Sequence, residues 1–128
     1  MKNIVLITGG FDPIHSGHIA YLQAAKKLGD ILVVGVNSDA WLTRKKGRAF
    51  MPLQERAAIL RAITGVDFVI DFDDSDNSAR HAIWMVRQSY PQDHIIFANG
   101  GDRTQANIPE MTVEDANLEF VFGVGGEN

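Results

Sequence analysis

The chain has 128 residues, a length at which we expect one domain, 1–128, with a single hydrophobic core. Hydrophobic residues make up 45% of it and charged residues 22%, proportions that are typical of globular proteins. The net charge of −4 argues against a dedicated nucleic-acid-binding protein, and the absence of cysteine excludes disulfides, thiolate metal ligands and a cysteine nucleophile.

Short apolar runs alternate with amphipathic segments along the chain. Apolar runs with the length of buried strands span residues 4–8, 31–36, 66–70, 94–98 and 118–124. Helical spacing or capping residues predict helices over residues 19–28, 40–43, 53–63, 79–90 and 108–117. Residues 44–50 are predicted as a basic loop and residues 71–77 as an acidic loop. The alternation predicts an α/β fold, an open parallel five-stranded sheet with helices on both faces.

Several polar segments follow the predicted strands or their short helices. They comprise residues 9–18, 37–39, 44–50 and 99–103. In an open parallel sheet, ligands bind outside the carboxyl ends of the strands, where the strand order reverses. We therefore expect these four segments to converge on one binding site.

The first of these segments, within the run TGGFDPIHSGH at residues 8–18, carries the most chemistry. Gly9 and Gly10 let the backbone turn sharply and approach a ligand, and the following helix offers free N–H groups to a phosphate. His15 and His18, three residues apart, would share one face of the helix entry. As donors they could neutralise charge on an α-phosphate during in-line attack, and nothing requires a covalent intermediate.

The electrostatics of that helix entry also bear on the two imidazoles. The positive end of the helix dipole should make both harder to protonate when the site is empty, and a bound triphosphate should do the reverse. The chain lacks G-x-x-x-x-G-K-[ST] and a G-x-G-x-x-G after the first strand, so a P-loop protein and a dinucleotide-dependent dehydrogenase are disfavoured. An isolated H-x-G-H could instead be an ordinary capping segment, and two histidines alone do not make a zinc site.

The motif at residues 9–18 resembles G-x-F-D-x-x-H-x-G-H, the signature of the cytidylyltransferase-like nucleotidyltransferases. Other segments resemble the same family in the expected order, namely residues 36–39, 46–47, 52–56, 66–67 and 100–102. The resemblance implies a Rossmann-like fold. Within the family, the chain looks most like heptose 1-phosphate adenylyltransferase domains, with glycerol-3-phosphate cytidylyltransferases as the second alternative.

The resemblance implies roles for individual residues. Catalytic roles fall to His15, His18 and Lys46, and acceptor-binding roles to Asp39 and Arg56. The nucleotide would contact Gly9, Gly10, Phe11, Asp12, Gly100, Gly101 and Asp102, with Asp12 ordering the loop or its magnesium. The implied reaction is attack by a phosphate-monoester oxygen of a sugar or polyol on the α-phosphorus of ATP or CTP, with Mg²⁺ on the triphosphate and pyrophosphate as leaving group. A homodimer is also implied.

Two departures from the family pattern stand out. The family usually has an Arg/Ser/Thr-rich motif after the last strand, whereas this sequence ends at residues 122–128, so we expect truncation or a missing element. Relatives often carry an arginine where Thr64 stands, with Arg61 as a possible substitute. A catalytically weak nucleotide-binding module is therefore a second functional alternative. No segment resembles a signal peptide or a membrane span, so we expect a cytoplasmic location.

Other charged residues have simpler interpretations. The basic loop could be a solvated surface, and Arg56 could merely pair with a neighbouring carboxylate. The aspartates of residues 71–77 lack the glycine and glutamate of a calcium loop, so a solvated turn is the better interpretation. No metal-ligating residue is assigned.

Overall fold

The computed structural model describes residues 1–100 and 108–125, which build a parallel sheet with helices on both faces. The sheet has the order β3-β2-β1-β4-β5, in which the strands are β1 Asn3–Gly9, β2 Ile31–Val36, β3 Phe68–Asp71, β4 His94–Ala98 and β5 Leu118–Val121. The helices are α1 Ser16–Lys26, α2 Asp39–Lys46, α3 Leu53–Arg61, α4 Arg80–Ser89 and a short 3₁₀ helix, Pro109–Thr112. The predicted Rossmann-like α/β class is confirmed.

The central strand β1 is apolar on both faces because helices cover it from both sides. Val5 and Ile7 belong to the core beneath α1 and α3, and Ile4 and Leu6 belong to the core beneath α4. All four side chains are inaccessible to solvent. This alternation along one strand explains why β1 reads as a continuous apolar run rather than as a polar–apolar repeat.

Two predicted elements agree with the structure at both ends, and several others do not. The bounds of β2 and β4 match the predicted residues 31–36 and 94–98. The prediction of a loop from residue 44 is wrong for residues 44–46, which form the last turn of α2. Ser38 caps the N-terminus of the helix, and at the other end Gly47, whose φ of 94° lies in the left-handed region, donates its N–H to the Thr43 carbonyl and ends the helix after Lys46.

The prediction of a helix over residues 108–117 is also wrong. Only Pro109–Thr112 form a single 3₁₀ turn, and Val113 is already extended. The Asp115 carboxylate accepts the backbone N–H of Asn117, a local bond that favours a turn over a helix. Strand β5 ends at residue 121 rather than 124, since Gly123 takes a φ of 72° that breaks the extended run.

The carboxyl ends of β1 and β2 lie side by side at the carboxyl-terminal edge of the sheet, the edge at which all the parallel strands end. The Gly9 carbonyl accepts the N–H of Asn37, 2.9 Å away, so the turn after β1 and the segment after β2 leave the sheet together. Asn99 follows β4, which pairs with β1 on its other side. Strand order thus brings three of the predicted segments to one edge. In residues 1–100 and 108–125, no helix combines the length and apolar character needed to cross a membrane.

Two neighbouring residues of α4 test this description of the core. Ile83 is buried under the sheet, whereas the Trp84 side chain is 57% exposed. Ile83→Ala should lower the free energy of unfolding by about 2 to 5 kcal/mol, because it removes buried methyl groups and leaves a cavity. Trp84→Ala on the same helix should change it by less than about 1 kcal/mol. Urea denaturation measures both, and equal losses would contradict the assignment of the α4 face.

Candidate active site

The turn after β1 is closely packed around both of its glycines. A Cβ on Gly9 would lie 3.2 Å from the ring of Phe11, and a Cβ on Gly10 would lie 2.8 Å from Cδ2 of Leu42 on α2. Phe11 itself takes a φ of 52°, which is unusual for a bulky residue, and its ring is buried. The turn is therefore compact: the ring of Phe11 packs against Gly9, and Leu42 of α2 packs against Gly10.

His15 and His18 form a reciprocal cap at the N-terminus of α1. Nδ1 of His15 accepts the N–H of Gly17, and Nδ1 of His18 accepts the N–H of His15, both at 3.1 Å. A neutral imidazole whose Nδ1 accepts a hydrogen bond carries its proton on Nε2. A Cβ on Gly17 would lie 2.9 Å from Cε1 of His15, so the glycine makes room for the cap. The cap thus gives each neutral ring an Nε2–H donor.

The two imidazole rings stack at a centroid distance of 3.9 Å, and the ring of Phe11 lies edge-on to His18 at 5.1 Å. Partial burial of His18 lowers its pKa, and the neighbouring charge of protonated His15 lowers it further. His18 is therefore held in the neutral form. A bound polyphosphate would favour its protonation, because opposite charge nearby stabilises the imidazolium.

Asp12 joins the first turn to the segment before α3. Its carboxylate, which has no exposed surface, accepts the N–H groups of Phe50 at 2.7 Å and of Met51 at 2.8 Å. Nζ of Lys46 lies 3.1 Å from Oδ2 of Asp12 and also donates to the Asp12 carbonyl. The carboxylate is thus saturated by protein donors, an arrangement that fits loop ordering better than direct ligation of magnesium.

The pKa of Asp12 reflects these opposing effects. Burial alone raises the pKa of the carboxyl, but the hydrogen bonds from Phe50, Lys46 and Met51 outweigh it, so the pKa lies below its ordinary value. The carboxylate therefore stays charged at neutral pH. It holds the Lys46 ammonium, which is 30% exposed, beside the first turn.

Arg56 contacts protein groups on every side. Its side chain is fully buried, and its guanidinium donates to the carbonyls of Met51, Gly10 and Asn37 at 2.7 to 2.9 Å. Its Nη2 lies 2.6 Å from Oδ1 of Asp39, whose side chain is half exposed. The resemblance implies that Arg56 contacts the acceptor directly. In the structure its guanidinium has no exposed surface for such a contact. The structure instead gives Arg56 a positioning role, with Asp39 as the member of the pair that faces solvent.

Sequence reasoning missed Asp74, which it placed in a solvated turn. The Asp74 carboxylate is buried and accepts the Asn37 side-chain amide, the Ser38 N–H and the Ser38 hydroxyl at 2.7 to 3.0 Å. The same hydroxyl accepts the N–H of Trp41, so Asp74 orients the cap of α2. Its position directly after β3, the strand beside β2, is the signal that places it at this edge of the sheet.

On the β4 side, Gly100 lies against Tyr21 of α1. A Cβ on Gly100 would be 3.8 Å from the tyrosine ring, and the tyrosine hydroxyl donates to the carbonyl of Ala98 at 2.7 Å. Gly101 and Asp102 lie outside the described residues. Within residues 1–100 and 108–125, no cluster of three or more His, Cys, Asp or Glu side chains could hold a metal ion.

The titration of His18 tests the electrostatics of the site. In the ligand-free protein its pKa should lie below the ordinary value of about 6.5, and addition of a magnesium nucleoside triphosphate should raise it. The His18 contribution to stability should be complete above about pH 6.5 and lost as the pH falls toward the folded-state pKa, because the unfolded chain then binds more protons. Two-dimensional NMR of the imidazole Cε1–H signals measures the pKa. Titration above 6.5 in the free protein would contradict this account.

The buried guanidinium generates a stability prediction. Arg56→Met should lower the free energy of unfolding by about 2 to 4 kcal/mol, because it leaves the carbonyls of Gly10, Asn37 and Met51 without their donor. Arg61→Met is the matched control, since Arg61 is exposed at the end of the same helix. Urea unfolding compares the two variants, and equal effects would exclude the network as a source of stability.

Known proteins resemble this chain along nearly its whole length. The model of the cytidylyltransferase-like family matches residues 6–121. Proteins named bifunctional protein HldE are similar to this chain: those of Nitratiruptor sp. and Geobacter metallireducens are each 49% identical, over 95% and 99% of this chain. The alignments cover 26% and 25% of those proteins, so the chain spans about a quarter of the length of the curated relatives it matches.

Solved structures agree with the fold. The lipopolysaccharide core biosynthesis protein from Thermoplasma volcanium superposes with a TM-score of 0.71 at 26% identity, over 95% of this chain and 96% of that one. A protein from Vibrio parahaemolyticus, at 16% identity, superposes with a TM-score of 0.55 over 95% of this chain and 73% of its own, and supports the fold alone. The family match and the relatives together show that the chain is a nucleotidyltransferase and belongs to the cytidylyltransferase-like family.

Proposed function

We propose that the chain transfers a nucleoside monophosphate from ATP or CTP to the phosphate of a phosphorylated sugar or polyol. An oxygen of the acceptor phosphate attacks the α-phosphorus, and the bond to the bridging oxygen breaks, so pyrophosphate leaves with the electron pair. The observation that carries the proposal is the reciprocal histidine cap, which places two Nε2–H donors at a helix N-terminus directly after a glycine turn.

The two histidines act through charge rather than through covalent chemistry. Charge builds on the α-phosphate oxygens and on the leaving pyrophosphate during the in-line displacement. The Nε2–H groups of His15 and His18 and the free N–H groups of α1 donate to these oxygens. Because both rings are fixed by their Nδ1 bonds, the donors are oriented before the substrate arrives, and little reorganisation is needed during the reaction.

Lys46 supplies the mobile positive charge in this scheme. In the ligand-free protein its ammonium is bound by the Asp12 carboxylate and carbonyl. A triphosphate at the first turn offers several anionic oxygens, so the ammonium can turn from Asp12 toward the phosphates without leaving the site. The Asp12 carboxylate retains its two backbone donors during this exchange, which keeps the turn in place.

The other expected site residues divide between the two substrates. On the nucleotide side we place Gly9, Gly10, Phe11 and Gly100, together with Gly101 and Asp102, which lie outside the described residues. On the acceptor side we place Asp39, whose half-exposed carboxylate can accept from acceptor hydroxyls, with Arg56 behind it. Magnesium bound to the triphosphate, a homodimer and a cytoplasmic location stay predictions.

The acceptor is proposed from resemblance. Similarity to heptose 1-phosphate adenylyltransferase domains favours a sugar 1-phosphate, and glycerol 3-phosphate is the alternative. The direct test is pyrophosphate release with magnesium, each of the four nucleoside triphosphates, and an acceptor panel of heptose 1-phosphate, glucose 1-phosphate, glycerol 3-phosphate, phosphopantetheine and FMN. Release with one sugar or polyol phosphate supports the proposal. Release only with phosphopantetheine or FMN, or triphosphate binding without any release, would contradict it.

A substitution at His18 separates catalysis from nucleotide binding. His18→Ala should lower kcat about a hundredfold or more, because it removes a donor used in the transition state, worth on the order of 3 kcal/mol. The dissociation constant of the triphosphate should change much less. His81→Ala on α4 is the control and should leave both quantities unchanged. Turnover of His18→Ala close to that of the unchanged protein would refute the assigned role.

A further inference from the structure

Phe50 is an apolar side chain left in solvent beside the reaction site. Its ring is 57% exposed although it lies in the short link between α2 and α3. Two cations lie over that ring, with Nζ of Lys46 4.4 Å and Cζ of Arg48 5.0 Å from its centroid. Core packing does not account for an exposed ring with two cations close to it at this place.

The backbone, not the ring, fixes the position of Phe50. Its N–H donates to Oδ2 of Asp12 at 2.7 Å, and the next N–H, of Met51, donates to Oδ1 of the same carboxylate. The link is therefore tied to the turn that also carries the two histidines. The ring takes no part in these bonds, and because more than half of Phe50 is exposed, the ring offers surface to a ligand that approaches the first turn.

Strand order indicates which ligand that is. The sheet runs β3-β2-β1-β4-β5, so the link from α2 to α3 leaves on the β2 side of the central turn, and Gly100 lies on the β4 side. In the proposed reaction the triphosphate occupies the central turn and the nucleoside lies on the Gly100 side. The β2 side, which also holds Asp39, is left for the acceptor.

We propose that Phe50 and Arg48 form the acceptor subsite and that they select a phosphorylated sugar ring over an open-chain polyol phosphate. The inference rests on the proposed nucleotidyl transfer. The face of a sugar ring presents C–H groups that pack on an aromatic ring, whereas glycerol 3-phosphate has no such face. The Arg48 guanidinium, close to the same ring, supplies a fork of donors that matches phosphate oxygens. Phe50 is thus a specificity-determining residue, and Arg48 binds the acceptor phosphate.

The test measures binding apart from turnover. Calorimetry with heptose 1-phosphate, glucose 1-phosphate and glycerol 3-phosphate, in the presence of an α,β-methylene triphosphate, gives the affinity of each acceptor. Phe50→Ala retains the backbone N–H to Asp12 and should weaken the best-bound sugar phosphate about tenfold, with less than about a twofold effect on glycerol 3-phosphate. Arg48→Ala should weaken sugar and polyol phosphates alike. Trp84→Ala removes an equally exposed aromatic side chain from α4 and should change nothing.

Each contrary outcome has a distinct meaning. Equal binding of sugar phosphates by the unchanged protein and Phe50→Ala would overturn the subsite, as would loss of triphosphate-analogue affinity in Phe50→Ala, which would place the nucleobase on the ring. Equal losses for glycerol 3-phosphate and the sugars would overturn the selection of a ring. Pyrophosphate release by the unchanged protein is measured separately, so a failed subsite with intact release leaves the proposed function standing.

Discussion

The buried guanidinium of Arg56 is the interaction on which the geometry of the site depends. Three segments meet there, because the guanidinium binds the Gly10 carbonyl after β1, the Asn37 carbonyl and Asp39 carboxylate after β2, and the Met51 carbonyl before α3. Strands β1 and β2 fix two of these segments through the sheet, but the segment before α3 has no strand to hold it. A buried cation is tolerated only when its donors are used, and here the planar fork matches acceptors on every side.

The groups of the first turn, next to Arg56, are already paired with one another in the ligand-free site. The Asp12 carboxylate neutralises Lys46, and partial burial together with the charge of a protonated His15 lowers the pKa of His18. The reciprocal cap fixes the orientation of both imidazole rings. A triphosphate therefore enters a site in which Lys46 is already paired with Asp12, and it becomes the new partner of donors that are already in place. Substrate binding then exchanges hydrogen-bond partners of donors that are already oriented, which is the preorganisation that phosphoryl transfer needs.

The sequence predicted those parts of the structure that depend on local pattern. Strands β2 and β4 were predicted to the residue because they lie inside the sheet and are apolar on both faces. The edge strands β3 and β5 are partly exposed, so their hydrophobic patterns are weaker. Strand β3 begins two residues later and ends one residue later than predicted, and β5 ends three residues earlier. The histidine motif was found from its spacing. The pairing of Arg56 with a carboxylate was one of the two alternatives from the sequence, and Asp39 is that carboxylate. The backbone partners of Arg56 and the role of Asp74 were missed, because they join groups distant in sequence that no side-chain pattern reveals.

The central claim is that His15 and His18 act as hydrogen-bond donors in a single displacement and not as nucleophiles. The stereochemical course at the α-phosphorus tests it most directly. A nucleoside α-thiotriphosphate of known chirality would be turned over with the acceptor that supports pyrophosphate release, and ³¹P NMR would give the configuration of the product. A single in-line attack inverts the configuration at the α-phosphorus, so inversion is the expected result. Retention would show two displacements through a nucleotidyl-enzyme and would contradict the account.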